Sequence, residues 1–400
     1  MLVNLLPLAL SALSLASAAS ISIEPRDNAA PVAGPYGLGN AQCQPVKLRV
    51  PIDAKNQKFT DVVQQYSNTS YATAQMTEFA TAQANYTSAH LKGDTVQNKK
   101  TYSIQGYYCT PRRGAKEGSA LINLVHGIGF DASYWDFTLS PEYSFVKHAA
   151  SHGYSTFRYD RLGTGKSQTP SNGFDETQAP TEVAILAEVL RQLRDTTNVG
   201  GKKHPKVVGV GHSYGSVQTQ AITATRPELL DAAILTGYTN NVTNLPGYLN
   251  AASYSVAADV LPHLASKPRT WLASGSEASD VRGFFYPPYY SEQAFKLARS
   301  TEQAVTLGSL FTIGLVGGPA PNFNKPVQVV NGAKDFIFCS SNCWGGPDGT
   351  DIPSGVKQFY PAASKFSSFI AENVGHGITA HYAQPMIAEK IIEFISQNGL

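Results

Sequence analysis

The strongest chemical signal in the sequence is a serine between two glycines, in the pentapeptide GHSYG at residues 211–215. The apolar run KVVGVG at 206–211 precedes it and a helical pattern follows it. This context predicts a sharp strand-to-helix turn, in which small flanking residues lift the serine oxygen beyond the edge of a sheet. The alternative is a tight turn with an incidental serine, because GxSxG is a short pattern. We interpret Ser213 as a nucleophile.

A serine hydroxyl needs a base to take its proton, and that base needs an acid to orient it. Among nine histidines, His376 lies between a predicted last strand at 367–373 and a predicted last helix at 379–399. His381 is a rival that falls within that predicted helix, and His212 is expected to point away from the nucleophile. His376 is therefore the predicted base, in the chain order serine, acid, histidine.

The predicted acid is Asp335, which follows the apolar, β-branched strand pattern at 326–332. The residues NGAKD supply a turn at this point, which places the carboxylate just past the end of a strand. Asp348 and Asp351 are rivals farther along a Gly- and Pro-rich loop. An ordinary solvated loop aspartate is the alternative interpretation.

Acyl transfer also requires hydrogen-bond donors where the tetrahedral oxyanion forms. The residues HGIG at 126–129 end the first predicted buried strand, and their glycines allow close backbone approach. The N–H groups of Ile128 and Tyr214 are the predicted oxyanion-hole donors. A plain glycine turn at the end of a strand is the alternative.

Apolar strands alternate with amphipathic helices around these residues, which predicts βαβ units and a mainly parallel sheet buried on both faces. The predicted strands are 120–127, 155–160, 206–213, 231–237, 326–332 and 367–373, and the predicted helices are 141–152, 181–195, 215–225 and 379–399. Earlier strands are predicted at 47–53 and 101–109, with a helical or irregular stretch between them.

The alternation stops after the strand at 231–237, which indicates an insertion in the sheet. The predicted organisation is a signal peptide at 1–18, an extended arm at 19–42, a core at 43–239 and 326–400, and a cap at 240–325. Residues 1–18 combine an apolar Leu- and Ala-rich stretch with small residues at Ala16 and Ala18, as in a secretory signal. A membrane anchor is disfavoured because the stretch is short and interrupted. Secretion, or residence in the secretory pathway, is expected.

Passage through the secretory pathway would allow N-glycosylation and disulfide formation at further residues. Three sequons could carry N-glycans, at Asn68, Asn85 and Asn241. Four cysteines permit three connectivities, of which Cys339–Cys343 within CSSNC and Cys43–Cys109 are favoured because the first pair is close enough for a local bridge.

Composition excludes several classes of protein. The 400 residues are 42% hydrophobic and 15% charged, which is a globular profile. Lys and Arg number 31 against 29 Asp and Glu, a net charge of +2 that is too small for the basic field of a nucleic-acid partner. No metal or other cofactor is expected, because CxxC pairs and HExxH are absent and the GKS at 165–167 lacks the preceding glycine of a phosphate-binding loop.

The motifs HGIG, DRLGTGKS, GHSYG, NGAKD and GHG follow one another at 126–129, 160–167, 211–215, 331–335 and 375–377. In this order and spacing they resemble the alpha/beta-hydrolase superfamily over residues 43–398, in particular secreted fungal members with a cap. The resemblance implies an α/β fold with a mostly parallel central sheet, helices on both faces and a helical cap. It also implies a triad of Ser213, Asp335 and His376 with Ile128 and Tyr214 as oxyanion donors. A serine nucleophile argues against epoxide hydrolases and haloalkane dehalogenases, which use aspartate.

The aromatic run FFYPPYY at 284–290 suggests a wall for a bulky apolar group, with Phe285, Tyr286 and Tyr289 as candidate contacts. The same rings could instead form the core of the cap. The leading hypothesis is a secreted serine hydrolase that cleaves a carboxylic ester or lactone of a bulky apolar small-molecule substrate through an acyl-enzyme. The alternatives are an amidase or peptidase resembling prolyl aminopeptidases, a cyclase or lyase on the same fold, and a non-catalytic binding protein. Oligomeric state is left open.

Overall fold

The structure is a computed structural model that describes residues 40–59, 68–82 and 89–400. The predicted signal peptide, residues 19–39 of the predicted arm and the sequon at Asn85 lie outside the described residues. In the part of the chain that is described, no helix combines the length and apolar character needed to cross a membrane.

An eight-stranded sheet forms the centre of the fold, in the order β1-β2-β4-β3-β5-β6-β10-β11. Strands β1 and β2 pair antiparallel, as do β2 and β4, whereas the pairs from β4 to β11 are parallel. The predicted mainly parallel sheet is therefore confirmed. The strands are β1 (Ala41–Phe59), β2 (Leu91–Pro111), β3 (Leu121–Val125), β4 (Thr156–Tyr159), β5 (Val207–His212), β6 (Ala232–Thr236), β7 (Ser255–Val256), β8 (Trp271–Ala273), β9 (Val305–Thr306), β10 (Val327–Gly332) and β11 (Phe366–Ala371).

Helices cover both faces of the sheet. They are α1 (Thr69–Ala82), α2 (Phe145–Ser151), α3 (Ala179–Asp195), α4 (Tyr214–Thr225), α5 (Leu245–Ala252), α6 (Ala257–Val260), α7 (Glu277–Phe284), α8 (Glu292–Ser300), α9 (Leu307–Thr312), α10 (Phe336–Cys339) and α11 (Gln384–Gln397). In α3, the buried Ile185, Val189 and Leu193 recur every four residues and form the apolar stripe that faces the core. Pro180 lies in its first turn, where no intrahelical hydrogen bond is lost.

Strands β1 and β2 are longer than the predicted 47–53 and 101–109. Only residues 106–109 of β2 pair with β4, so the rest of β1 and β2 forms a two-stranded ribbon. Side chains of β1 alternate between exposed and buried from 47 to 55, as expected for a ribbon with one covered face. As the edge strand of the sheet, β1 contains Pro45 and Pro51, which lack a backbone donor.

Helix α1, which lies between the ribbon strands in sequence, packs against α5 and β7. Its buried residues Ala72, Met76 and Ala80 again recur every four positions. The ring of Phe79 lies 4.8 Å from that of Phe311 in α9. The long stretch before residue 100 therefore reaches the residues that follow β6.

Residues 240–325, here called the insert, connect β6 to β10, which are neighbours in the sheet. The insert contains α5 to α9 and also an antiparallel sheet of β7, β8 and β9. Only helices were predicted for the insert, because strands of two or three residues are too short to show an alternating pattern in the sequence.

Both predicted disulfides are present. Cys43 and Cys109 are directly opposite each other on β1 and β2 and are bonded across the ribbon. Cys339 and Cys343 close the short loop that follows Asp335.

Candidate functional site

Ser213 occupies a sharp turn between β5 and α4. Its φ of 53° and ψ of −117° lie in a region that side-chain-bearing residues rarely adopt, which costs about 1–3 kcal/mol. The Ser213 N–H donates to the Thr236 carbonyl at 2.9 Å, which anchors the turn to β6. A Cβ atom at Gly215 would collide with the Val125 carbonyl oxygen, so the second glycine is required for close packing of α4 against β3. The predicted elbow geometry is thus present.

Asp335 and His376 lie together beyond the ends of β10 and β11. The Asp335 Oδ2 atom is 2.8 Å from Nδ1 of His376, and both side chains are fully buried. The other carboxylate oxygen accepts a hydrogen bond from the Phe338 N–H at 3.0 Å, which fixes the carboxylate at the start of α10. The rival Asp351 instead accepts from the Ser354 N–H and caps a different turn.

The imidazole of His376 lies beside the nucleophile turn. Its ring centroid is 4.9 Å from that of His212, the residue before Ser213. The Nε2 atom of His376 is buried and makes no hydrogen bond to any part of the chain that the structure describes. Among the described residues, Ser213 included, none occupies this nitrogen.

The two rival histidines occupy different environments. The His212 ring stacks on Tyr134 at 4.4 Å, its Nδ1 atom lies 3.1 Å from the Thr236 hydroxyl, and its ring centroid is 4.9 Å from that of His376. His381 was expected inside the last helix, but α11 begins only at Gln384, since Pro385 follows in its first turn.

The HGIG segment runs directly beside the nucleophile. A Cβ atom built on Gly127 would lie 2.9 Å from the Cβ of Ser213, so the Gly127–Ile128 peptide is within reach of the serine. The Gly127 carbonyl accepts from Nδ1 of His126 at 2.9 Å. This carbonyl and the Ile128 N–H belong to one peptide, so fixing the oxygen also fixes the direction of the N–H.

Arg161, in the DRLGTGKS motif, supports both predicted oxyanion donors and was not singled out from the sequence. Its guanidinium donates to the Gly127 carbonyl at 3.2 Å and lies 4.8 Å from the ring centre of Tyr214. Its backbone N–H donates to Nε2 of His126 at 3.0 Å, which leaves the His126 proton on Nδ1. The buried guanidinium is paired with Glu182 at 2.5 Å. The only sequence signal for this role was the motif itself.

Within the aromatic run at 284–290, the ring that lies next to His376 is that of Phe284, which was not among the three candidate substrate contacts. Phe284 lies between Phe130 and His376, with ring centroids 5.4 Å and 5.8 Å away. Phe285 is buried between the Phe295 ring of the insert, 5.4 Å away, and the His381 ring, 5.8 Å away. The remaining two candidates, Tyr286 and Tyr289, stack on each other, and Tyr289 is 38% exposed.

Two of the three sequons fall on described residues. Asn68 is exposed and its side chain accepts from the Tyr71 N–H at the start of α1. Asn241 is half-buried just after β6. Glycosylation at these residues stays a prediction.

Three buried histidines are held neutral around the site. Burial lowers the pKa of His126 and His212 well below its usual value, and it lowers the pKa of His381 to about 4. Burial also raises the pKa of Asp160 to about 7 and that of Glu302 to about 8. The histidines disfavour the folded state in acid, whereas the two carboxyl groups have the opposite effect.

A His381→Gln variant isolates one of these contributions. Below pH 6.5 the unfolded chain gains a proton at His381 that the folded chain takes up only near pH 4, so the wild type loses stability as pH falls. The stability of wild type relative to the variant should fall by about 2–3 kcal/mol between pH 6.5 and 4.5, since Gln does not titrate. Urea unfolding of both proteins at the two pH values measures this; a constant difference would contradict it. The Asp160 and Glu302 contributions are common to both proteins and cancel.

The Cys339–Cys343 loop wraps around the backbone of Asp335. The Asp335 carbonyl accepts from the N–H groups of Cys339 and Ser341, and the Cys343 N–H donates to Ala333. Replacing both cysteines by Ser should lower kcat markedly while lowering Tm only slightly. The effect on Tm is small because so short a ring adds little loop-closure entropy. Removing the Cys43–Cys109 bridge, which spans 66 residues, should do the reverse. Equal losses of kcat in the two double variants would contradict a specific role of the Cys339–Cys343 loop in holding Asp335.

Comparison with known proteins agrees with this architecture. Residues 124–388, from β3 into α11, match the profile of the alpha/beta hydrolase family. A hydrolase from Pseudomonas aeruginosa PA01 is similar in structure, with a TM-score of 0.50 and 14% identity over 74% of this chain and 94% of that protein. A thermophilic esterase from Thermogutta terrifontis has a TM-score of 0.51 and 13% identity over 74% of this chain and 95% of that protein.

No curated protein sequence matches the chain significantly. The two structural similarities, at such low identity, show a shared fold only. The family profile covers more than half of the sequence and includes the strands that carry Ser213, Asp335 and His376. The chain therefore belongs to the alpha/beta hydrolase family.

Proposed function

We propose that the protein is a secreted serine hydrolase that cleaves a carboxylic ester or lactone of a bulky apolar substrate through an acyl-enzyme. Ser213 is the nucleophile, His376 the general base and Asp335 the acid that orients it. The observation that carries the proposal is the fully buried 2.8 Å contact between Asp335 and His376 beside a serine on a strained turn. Secretion rests on the signal-like residues 1–18 and is supported by the two disulfides.

In the proposed reaction, the Ser213 Oγ atom attacks the carbonyl carbon while its proton passes to Nε2 of His376. The carbonyl oxygen becomes an oxyanion that accepts hydrogen bonds from the N–H groups of Ile128 and Tyr214. As the C–O bond breaks, His376 returns the proton to the leaving alkoxide. Water, deprotonated by the same imidazole, then attacks the acyl-enzyme and releases the acid and the free serine.

Apolar surroundings favour an uncharged acyl or alcohol group. The rings of Phe284 and Phe338 lie within 6 Å of the His376 ring, at 5.8 Å and 5.9 Å. The buried cation beside the HGIG segment, Arg161, is already paired with Glu182 and donates to the Gly127 carbonyl. It therefore offers no free charge to a carboxylate substrate.

The amidase alternative would need a free acidic group to bind a substrate amine. Two buried carboxylates of the insert, Asp280 and Glu302, share one guanidinium, that of Arg299, at 2.9 Å and 2.7 Å. Burial raises the pKa of Glu302 to about 8, which favours its neutral form. This pair supports an aminopeptidase poorly, and the ester hypothesis stays first.

A fluorophosphonate probe together with panels of esters, lactones and amides tests the proposal. We expect the probe to label Ser213 in the oxidised wild-type protein and to leave the Ser213→Ala variant unlabelled. Esters or lactones with bulky apolar groups should be turned over faster than amides. An unlabelled wild-type protein with no Ser213-dependent turnover would favour the binding-protein alternative, and turnover without net hydrolysis would favour a cyclase or lyase.

Phe284 and Phe285 form a matched pair for testing the apolar wall. Phe284→Ala should lower kcat/KM for bulky esters at least about tenfold more than for acetyl esters, because a large group would bury more apolar surface against that ring. Phe285→Ala should lower Tm and lower kcat/KM for both esters by a similar factor, since Phe285 packs between Phe295 and His381 rather than against the His376 ring. Specificity constants for one large and one small ester, with Tm for each variant, separate the two effects. An unchanged ratio in Phe284→Ala would remove this ring from substrate recognition.

A further inference from the structure

His381 is a buried histidine that the proposed reaction does not use. Its side chain is fully buried between the loop that carries His376 and the end of the insert segment at 284–286. The ring lies 5.8 Å from Phe285, nearly parallel to it, and 6.0 Å from Tyr290. It is thus enclosed by aromatic rings rather than by charged groups.

Both ring nitrogens of His381 bind backbone groups. The Nε2 atom accepts from the N–H of Gly375 and from the N–H of Tyr286, each at 3.1 Å. The Nδ1 atom is 3.0 Å from the Gly377 carbonyl, to which it donates. Two backbone donors on Nε2 require its lone pair, so the single ring proton lies on Nδ1.

These three bonds connect two separate parts of the chain. Gly375 and Gly377 are the residues on either side of His376, whereas Tyr286 belongs to the insert. The Gly377 N–H also donates to the Phe284 carbonyl at 2.8 Å. A Cβ atom at Gly375 would lie 2.9 Å from that carbonyl oxygen, so the two backbones are in direct contact here.

We infer that His381 is a positioning residue, which holds the His376 loop in its reactive arrangement by fastening both sides of that loop to residues 284–286 of the insert. The inference rests on the proposed function, since it assigns His376 the role of base. The same backbone contacts hold Phe284 against the His376 ring. The side chain of His381 would therefore help to fix the positions of both the base and the apolar ring beside it. Loss of His381 would leave the N–H groups of Gly375 and Tyr286 buried without an acceptor.

A phenylalanine at 381 keeps an aromatic ring but removes all three hydrogen bonds. In His381→Phe we expect kcat for an activated p-nitrophenyl ester to fall at least about 100-fold with KM changed less than about threefold, because a misplaced base affects chemistry more than binding. His381→Gln offers an amide oxygen and an amide N–H near the same backbone groups. It should restore kcat to within about tenfold of wild type.

His204→Phe is the matched control. His204 is also buried, its Nε2 atom lies 3.2 Å from a backbone carbonyl, and its ring packs against Tyr108, away from the site. This variant should lower Tm without a comparable loss of kcat. If His204→Phe and His381→Phe lose the same kcat at the same loss of Tm, or if His381→Phe keeps kcat within threefold of wild type, His381 is a packing residue only.

Hydrogen exchange distinguishes failure of this inference from failure of the proposed function. Peptides covering 284–286 and 373–378 should exchange faster together in His381→Phe or, if that variant does not fold, in the wild type near pH 4 relative to pH 7 after correction for the intrinsic exchange rate, because protonation of Nε2 removes the acceptor for the Gly375 and Tyr286 N–H groups. Unchanged exchange in both segments would overturn the coupling, whatever the activity. If the wild-type serine proves unreactive to fluorophosphonate while the exchange result holds, the proposed function fails and the coupling stands.

Discussion

Replacing Ser213 by alanine is expected to lower kcat for the best ester substrate by about 10⁴- to 10⁶-fold. In the proposed mechanism the change removes the oxygen atom that forms the acyl-enzyme, and the alanine that replaces it has no nucleophilic atom. Alanine adopts the same backbone conformation at about the same cost, so Tm should change by only a few degrees. Kinetics with a sensitive fluorogenic ester, together with thermal unfolding, measure both quantities.

The outcome that contradicts this expectation is residual activity within tenfold of wild type in a preparation free of wild-type enzyme. Such a result would mean that hydrolysis does not pass through a Ser213 ester. Mass spectrometry of a slowly hydrolysed substrate provides an independent check, because the acyl adduct should appear on the tryptic peptide containing Ser213 and should be missing from the variant.

The second large effect is expected for Asp335→Asn, with a fall in kcat of about 10⁴-fold. A carboxylate at 2.8 Å holds the proton of His376 on Nδ1 and stabilises the imidazolium that forms during the reaction. An amide is neutral and can donate to Nδ1, which moves the ring proton to Nε2 and removes the base.

Asp351→Asn is the control for this change. Asp351 also follows β10 and also accepts a backbone N–H, but from Ser354 rather than near His376. Its replacement should leave kcat within about threefold of wild type. If Asp351→Asn were the damaging variant, the acid would be assigned to the wrong aspartate; if both were mild, orientation of the imidazole would not depend on a carboxylate at all.

The central sheet could be predicted because its strands are buried on both faces. Every residue of β3 and β5 is buried, so each strand appears in the sequence as a largely apolar run that ends near a glycine, LINLVHG at 121–127 and VVGVG at 207–211. The elbow at Ser213 was predictable for a related reason. Close packing of α4 against β3 leaves no room for a side chain at Gly215, and that requirement is visible in the sequence as a glycine.

The ribbon of β1 and β2 could be predicted only in part. Residues 91–100 are mostly exposed and polar on both faces, and therefore carry little of the alternation that identifies a strand. Backbone pairing along β1 stabilises them instead. Long-range pairing of this kind has no local signature in the chain.

The surroundings of Ser213, Asp335 and His376 could be predicted from the sequence only in part. Neighbouring residues of a motif point in different directions, and the sequence alone does not show which ring faces inward. Phe284 rather than Phe285 contacts His376 because its carbonyl is fixed by the Gly377 N–H. Arg161 acquires its role only when the turn after β4 meets the HGIG segment, which are 34 residues apart.

The exposed edge of the sheet bears on how the protein behaves at high concentration. An open edge strand is a template on which a second copy can extend the sheet, and such extension leads to aggregates. Strand β1 opposes this, since Pro45 and Pro51 cannot donate a backbone hydrogen bond to an incoming strand. The exposed Lys47, Arg49 and Lys55 add like charges that two copies would have to bring together. The outer side of β1, as the described residues show it, is therefore a poor template for sheet extension between molecules.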